Sequence, residues 1–434
     1  MKEKRKILGM VLIILIGYIG FGVYSYIMRD VYGYTYPQGY FLFSPWDRFM
    51  DFFNVNKMVS ERVPYVEYYS SYPPFILAIA FIFSLYGNYI FHTPQETSQT
   101  VAGFVSLMVF EVLFTGLYGL VVYKLISKRK DGCKNAFLMI IAVICLVYIA
   151  PYIYMLDRGN YLVINVILFC LFIYYYDTNE TLAAVCIGLA AAIKIYPLFF
   201  LLLYFIDRKW INMKYMIYVG GAVTFLSLLL FKGGLGANII EFGYAVLAFG
   251  GGYPNESPNV YFCVGLTSLL RFFSFIGKEN VGIIPGWFPV MKIYLVYGTA
   301  LTLWSVWNLM KERCFWKKIF VLTLLMVFLT PNSYMYNIIY LVPAIALFVV
   351  AEPGKKKWLD AVYLFLLGLL VIPKAYYYVS PENLVGIQTP IDANIIMLLI
   401  LLYNLADKET REKKIELKQW IPRIKFTGWK MKEK

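Results

Sequence analysis

The chain alternates long apolar runs with short polar breaks, and the runs are apolar on every side rather than along one stripe. A helix with one wet face repeats its apolar residues every third or fourth position, and a half-buried strand every second. Runs with neither rhythm belong to helices surrounded by lipid or by other helices. Such runs occupy residues 7–27, 101–126, 136–155, 161–176, 213–231, 290–310, 318–331, 334–351, 358–373 and 391–406. Between 176 and 210 the pattern breaks at Pro197, because proline removes a helix hydrogen bond, and leaves two short legs at 181–194 and 198–206. Neither leg is long enough for a hydrocarbon layer of about 30 Å, so together they predict a thinned, water-reachable notch. The pattern predicts an all-α polytopic membrane protein with about twelve transmembrane helices, the two legs included.

Lysine and arginine orient these spans, since cations concentrate in cytoplasmic loops. Segment 75–91 is apolar enough to cross, but counting it as a crossing places the cations at 128–130 outside. It is therefore expected to be a re-entrant or surface helix within a large first extracytoplasmic loop, with Pro73 and Pro74 in its first turn. The cations at 208–209, 311–318 and 355–357 then all face the cytoplasm, as do both termini. The expected organisation is one integral membrane unit over 1–406, with outer loops at 28–100, 232–289 and 374–390 and a surface helix at 264–276. A basic cytoplasmic tail, 407–434, would lie on anionic membrane lipids. The basic start MKEKRK leads into an apolar run too long for a signal-peptide core, so an uncleaved first span in a bacterial-type cytoplasmic membrane is expected.

Composition agrees with lipid as the solvent: 60% of the 434 residues are hydrophobic and the mean hydropathy is +0.64. The net charge of +14 sits in short loops and the tail, which argues against nucleic acid as a partner. Aromatic residues reach 19%, enough for interface belts and also for sugar-binding clefts. Six cysteines include no CxxC pair, and no disulfide framework follows. With His92 as the single histidine, a histidine-cluster metal site is excluded and a Ser-His or Cys-His nucleophile has little room. No cofactor is called for; the outer acids leave room for a divalent cation, but no ligand spacing demands one.

Candidate chemistry collects in the loop after the first span, where Asp30, Asp47, Asp51, Glu61 and Glu67 precede Tyr72-Pro73-Pro74. If this part is helical, Asp47 and Asp51 share a face. Either is a candidate general base that takes a proton from an attacking hydroxyl, or else a solvated carboxylate paired with Arg48 or Arg62. In Leu156-Asp157-Arg158-Gly159-Asn160, the glycine permits a tight turn and Arg158 can grip a phosphate or simply pair with Asp157. Lys194 stands in an apolar run, where a cation is either functional or snorkels to the interface. The hairpin at 330–337 offers hydroxyls and amides suited to a sugar or to ordinary turn caps. Glu111 lies inside a span with no identified partner, in keeping with a buried structural hydrogen-bonder.

Asp51-Phe52-Phe53, Pro64-Tyr65 and Tyr72-Pro73-Pro74-Phe75 resemble the first outer loop of the polyprenol-phosphate-mannose-dependent α-mannosyltransferases, which are membrane-embedded C-type glycosyltransferases. Arg158-Gly159-Asn160 and the block from Gly188 to Pro197 (Gly-Leu-Ala-Ala-Ala-Ile-Lys-Ile-Tyr-Pro) are similar to that family's most recognisable motif. The resemblance implies inverting transfer of a hexose from a polyprenyl-phosphate sugar donor to an envelope glycolipid or glycan acceptor. It implies Asp51 as the base, with Asp47 as the alternative four residues upstream. Arg158 and Lys194 would neutralise the leaving phosphate, and Asn160, Tyr72, Tyr196 and Tyr336 would contact substrate. Tyr336 stands where many relatives place a histidine, a departure that leaves the sugar and its contacts open. Two other readings compete: a flippase for lipid-linked sugars, and an envelope oligosaccharide polymerase or ligase. A transporter commonly repeats its broken helices in two halves, and this chain shows one broken pair.

Overall fold

The structure is a computed structural model, and it describes residues 2–33, 48–127, 136–251, 263–270, 287–330, 333–351, 357–373, 388–407 and 410. Helix α1 (Lys2–Tyr26) runs on through a wider turn at Ile27–Val31, and α2 (Met50–Ser60), α3 (Pro74–Ser84) and α4 (Pro94–Ser98) follow before α5 (Val101–Ser127). Next come α6 (Ala136–Val147), α7 (Ala150–Arg158), α8 (Leu162–Tyr175), α9 (Glu180–Ile193), α10 (Leu201–Ile206), α11 (Trp210–Leu228) and α12 (Leu235–Gly251). The last third holds α13 (Trp287–Leu309), α14 (Phe315–Leu329), α15 (Val342–Val350), α16 (Lys357–Val371) and α17 (Gln388–Ala406).

Two helical segments, Arg5–Val31 and Val101–Ser127, are long and apolar enough to cross a membrane alone, and a third arises if α6 and α7 count as one span. A further set of apolar segments, α3, α8, α9 and α16 among them, runs 10–17 residues among the described residues. The expected straight span over 136–155 is broken: α6 and α7 meet at 54°, with Pro151 in the first turn of α7 where its missing N–H costs nothing. Likewise 334–351 is not one helix, since Met335–Leu341 winds as a tighter 3-10 turn before Pro343 opens α15. The two legs around Pro197 are joined by a 3-10 turn at Tyr196–Phe200. In the first loop, Pro73 caps and Pro74 starts a helix only 11 residues long, which gives way to turns by Leu85. One element departs from all-helical architecture: β1 (Cys263–Val264) pairs antiparallel with β2 (Ser333–Tyr334), tying the stretch before a helical turn at 266–270 to the hairpin. The rest of the expected 264–276 helix and the tail beyond 410 lie outside the described residues.

Helix α9 packs between α8, which is largely buried, and α11, which is largely exposed. Gly188 allows the close approach of α9 and α11, because a Cβ there would fall 2.7 Å from the Met216 carbonyl oxygen. Small residues at such crossings let backbones meet where lipid offers no hydrophobic drive. Helix α2 lies on this core through its buried face. Phe52 stacks on Tyr161 at 5.6 Å and 9°, with Phe110 at 5.2 Å and Phe83 edge-on at 6.1 Å. Since Phe52, Phe53, Val55, Asn56 and Val59 take up that face, the stripe carrying Asp51, Asn54, Lys57 and Met58 remains partly open. At the start of the chain, Lys6 pairs with Asp360 at 3.1 Å and fastens α1 to α16.

Candidate active site

Three chain segments converge on Asp51, and each arrives by a local backbone device. Phe49 adopts the left-handed conformation (φ 63°) just before α2, and its amide donates to the Asp157 carbonyl at 2.7 Å. Arg48 Nε bonds the Asp157 carboxylate at 3.1 Å, and that carboxylate is fully buried. Asp157 is thus held by Arg48, which leaves its neighbour Arg158 aimed elsewhere. Helix α7 ends at Gly159 with φ 61°. A Cβ there would sit 2.9 Å from the Phe52 Cβ and 3.2 Å from the Phe49 carbonyl oxygen, so glycine supplies both the left-handed turn and the clearance for α2 to dock.

Past that turn, Arg158 donates to one Asp51 carboxylate oxygen, Oδ1, from Nε at 3.1 Å and from Nη2 at 2.5 Å. Asn160 Nδ2 donates to the other, Oδ2, at 2.7 Å. The Asn160 side-chain oxygen accepts from the Leu162 amide at 2.9 Å, which fixes the orientation of its NH2 group. The Arg158 and Asp51 side chains keep 14% and 17% of their surface exposed, so the pair is sheltered but reachable. Bonds of this kind, with both partners ionised, are the strong ones, and they hold the carboxylate in one orientation.

Lys194 enters from the opposite side. Helix α9 stops at Ile193 and Lys194 turns to an extended conformation (φ −151°, ψ 133°), which directs it out of the helix. Its ammonium lies 3.5 Å from the side-chain oxygen of Asn337 and 5.0 and 5.1 Å from the ring centres of Tyr196 and Tyr336. It lies within electrostatic reach of Asp51. Among the described residues it forms no ion pair, so its partners there are dipoles and ring faces. The end of α9 is pinned by Asn165, which donates to the Ala190 carbonyl at 2.6 Å and accepts from the Tyr340 hydroxyl at 2.7 Å. Tyr336 stacks on Tyr334 (5.5 Å, 16°) and leans on Tyr154 (5.5 Å), forming an aromatic wall. The Tyr72 carbonyl accepts from the Tyr65 hydroxyl at 2.9 Å, and Tyr72 lies within electrostatic reach of Tyr336.

The sequence-derived candidates Asp51, Arg158, Asn160, Lys194, Tyr196, Tyr336 and Tyr72 therefore gather in one neighbourhood; Asp47 lies outside the described residues. Some expected pairings change. Arg48 binds Asp157 rather than Asp51, and Arg62 donates to the Leu230 carbonyl at 2.8 Å. Asn160, expected to contact substrate, donates to the Asp51 carboxylate. Asn337 was visible in the sequence only as one amide of a polar hairpin, and its link to Lys194 across 143 positions left no local signal. Among the described residues, no group of three or more His, Cys, Asp or Glu side chains is placed to hold a metal. A fixed carboxylate flanked by two cations and aromatic faces is chemically equipped to accept a proton and to receive an anionic leaving group.

A helical membrane scaffold around such a site belongs to a membrane glycosyltransferase. The chain is a member of glycosyltransferase family 87, whose profile matches residues 68–331. The matched region contains Tyr72, Arg158, Asn160, Lys194 and Tyr196, while Asp51 and Tyr336 fall on either side of it. No curated protein matches the chain.

Proposed function

We propose that this glycosyltransferase moves a hexose, with mannose the first candidate, from a polyprenyl-phosphate sugar to an envelope glycolipid or glycan, with inversion. The observation that carries the reading is the Asp51 carboxylate held by Arg158 and Asn160 with Lys194 facing it. In the proposed step an acceptor hydroxyl oxygen attacks the anomeric carbon while the bond from that carbon to the phosphate oxygen breaks. Asp51 takes the hydroxyl proton, and the phosphate departs with the electron pair. Lys194 and Arg158 neutralise it, an interaction that strengthens as charge develops and so lowers the barrier. The site opens to the extracytoplasmic side, both termini face the cytoplasm, and neither nucleic acid nor a cofactor takes part.

The test is transfer from a radiolabelled polyprenyl-phosphate sugar to acceptors in an envelope extract, with the product identified by mass and linkage. Labelled glycan made by the wild type and not by a well-folded Asp51→Asn variant is the expected result. Transmembrane movement of intact donor without transfer would favour a flippase, and use of only a pyrophosphate-linked donor would favour a polymerase or ligase.

A further inference from the structure

A pocket of about 410 Å³ opens beside α2 and is lined by Asn54, Lys57, Met58, Tyr68, Phe91 and His92 among others. Its size falls within the range of small-ligand clefts, about 300–1,000 Å³. Its position is set by helical periodicity. Asn54 and Met58 follow Asp51 at i+3 and i+7, so all three lie on the stripe of α2 that the core leaves open. The rise along a helix places the pocket about 5–10 Å from Asp51 on the same face. None of its lining residues belongs to the cluster around Lys194.

The walls are held in place before any ligand arrives. Lys57 is fixed by Glu61 at 2.7 Å and by the Tyr89 carbonyl at 2.7 Å. Glu96 is capped by Thr93 and stands 4.0 Å from His92. Lys57 is matched by Glu61, and the Glu96 carboxylate has the His92 imidazole beside it, so the pocket holds no surplus cation to attract an anion. Asn54, by contrast, has no side-chain hydrogen bond among the described residues, and Phe91 is 78% exposed. An unengaged amide, an imidazole, a phenol and a bare aromatic face around a hollow without surplus positive charge suit a polyol with apolar ring faces.

We propose that this pocket is an acceptor subsite for uncharged sugar units. A glycan whose terminal hydroxyl lies at Asp51 would extend along α2, with its next units seated between Asn54 and Phe91. The proposal rests on the reading of Asp51 as the acceptor-side base, and it specifies that reading: the acceptor carries a neutral oligosaccharide rather than a single sugar or a charged glycan.

The test uses the full chain in lipid nanodiscs and saturation-transfer NMR with mannotriose and maltotriose as neutral probes and trigalacturonate as a charged one. Saturation transfer to at least one neutral trisaccharide is expected for the wild type and for Asp51→Asn, with a loss of about tenfold in affinity for Asn54→Trp and Tyr68→Ala. In the transfer assay, Asn54→Trp is expected to raise the acceptor concentration needed for half-maximal rate and leave the donor requirement unchanged. No signal from either neutral probe, a signal from trigalacturonate alone, or equal binding by both pocket variants would overturn the subsite. So would quenching of a fluorophore on Phe91→Cys by spin-labelled lipid, because the ring would then be buried in the membrane. If Asp51→Asn kept full transfer while the trisaccharides still bound, the base assignment would fail and the sugar pocket would stand.

Discussion

Helices α8 and α9 have ionic groups near both ends, and the two ends are built on different principles. At the Asp207 end, cations and acids are matched in pairs. Lys318 bonds Asp207 at 2.5 Å, Lys317 bonds Asp407 at 2.6 Å, and Lys209 bonds Glu180 at 3.0 Å. Tyr176 adds its hydroxyl to Asp207 at 2.8 Å. At the Asp51 end, Arg48 and Asp157 form one such match, but Asp51 then faces both Arg158 and Lys194. The first arrangement is complete in itself and locks helices together. The second holds one more cation than it has described carboxylates to match, which is the electrostatic condition for receiving an anion. The difference separates charges that hold the fold from charges available for chemistry.

Substitutions at the two ends should therefore fail in different ways. The largest effect is expected at Asp51→Asn, which removes the proton acceptor and should slow transfer about 10²–10⁴-fold, or about 3–5 kcal/mol of barrier. Thermal unfolding of the purified variant should stay near the wild type, and a well-folded variant with wild-type turnover would end the comparison. Asp407→Asn should do the reverse. It leaves Lys317 buried without its counter-ion and costs about 3–5 kcal/mol of stability, visible in detergent unfolding, while protein kept folded at low temperature retains transfer. Lys194→Met keeps the bulk and deletes the charge. It should raise the donor concentration required about 10–100-fold, in line with about 1.5–3 kcal/mol for one charged contact, with little change in melting. An unchanged donor requirement would remove Lys194 from the phosphate site.

The smallest effect belongs to neither end. Thr93 caps α4 and bonds Glu96 through its amide and hydroxyl, which holds that carboxyl below its usual range. Thr93→Ala should destabilise this segment by about 1 kcal/mol, read by hydrogen exchange at 93–100. Because the folded-state value is depressed, the stabilisation is present at neutral pH and above. The part that depends on the ionised Glu96 disappears as pH falls through the carboxylate range toward that lowered value, while the Thr93 cap on the Glu96 amide persists, so the gap between wild type and variant should narrow in acid without closing.

Much of the scaffold could be read from residue order. Proline marked where helices stop or start at 73–74 and 197. Pro151 was present in the expected span 136–155, yet its consequence, a 54° bend, depends on how α7 docks against the aromatic hairpin. The site was legible as an inventory. Asp51, Arg158 and Lys194 stood out as charges in unusual surroundings, but each had more than one plausible partner nearby. Arg48 was three residues from Asp51, and Asp157 was adjacent to Arg158. In the fold these two near neighbours pair with each other, and Asp51 is joined to Arg158 across 107 positions.

Residue order alone settles that this chain is dissolved in lipid, that its helical pattern breaks at Pro197, and which side chains are too polar for their surroundings. Those properties follow from transfer free energies and backbone sterics, which act residue by residue. The partnership of each charge, and the open face that α2 keeps beside Asp51, came from the docking of Phe52 and Phe53 against Tyr161, Phe110 and Tyr89. Ionic attraction falls off with distance, and hydrogen bonds demand alignment. Which groups meet is consequently a property of how the helices pack.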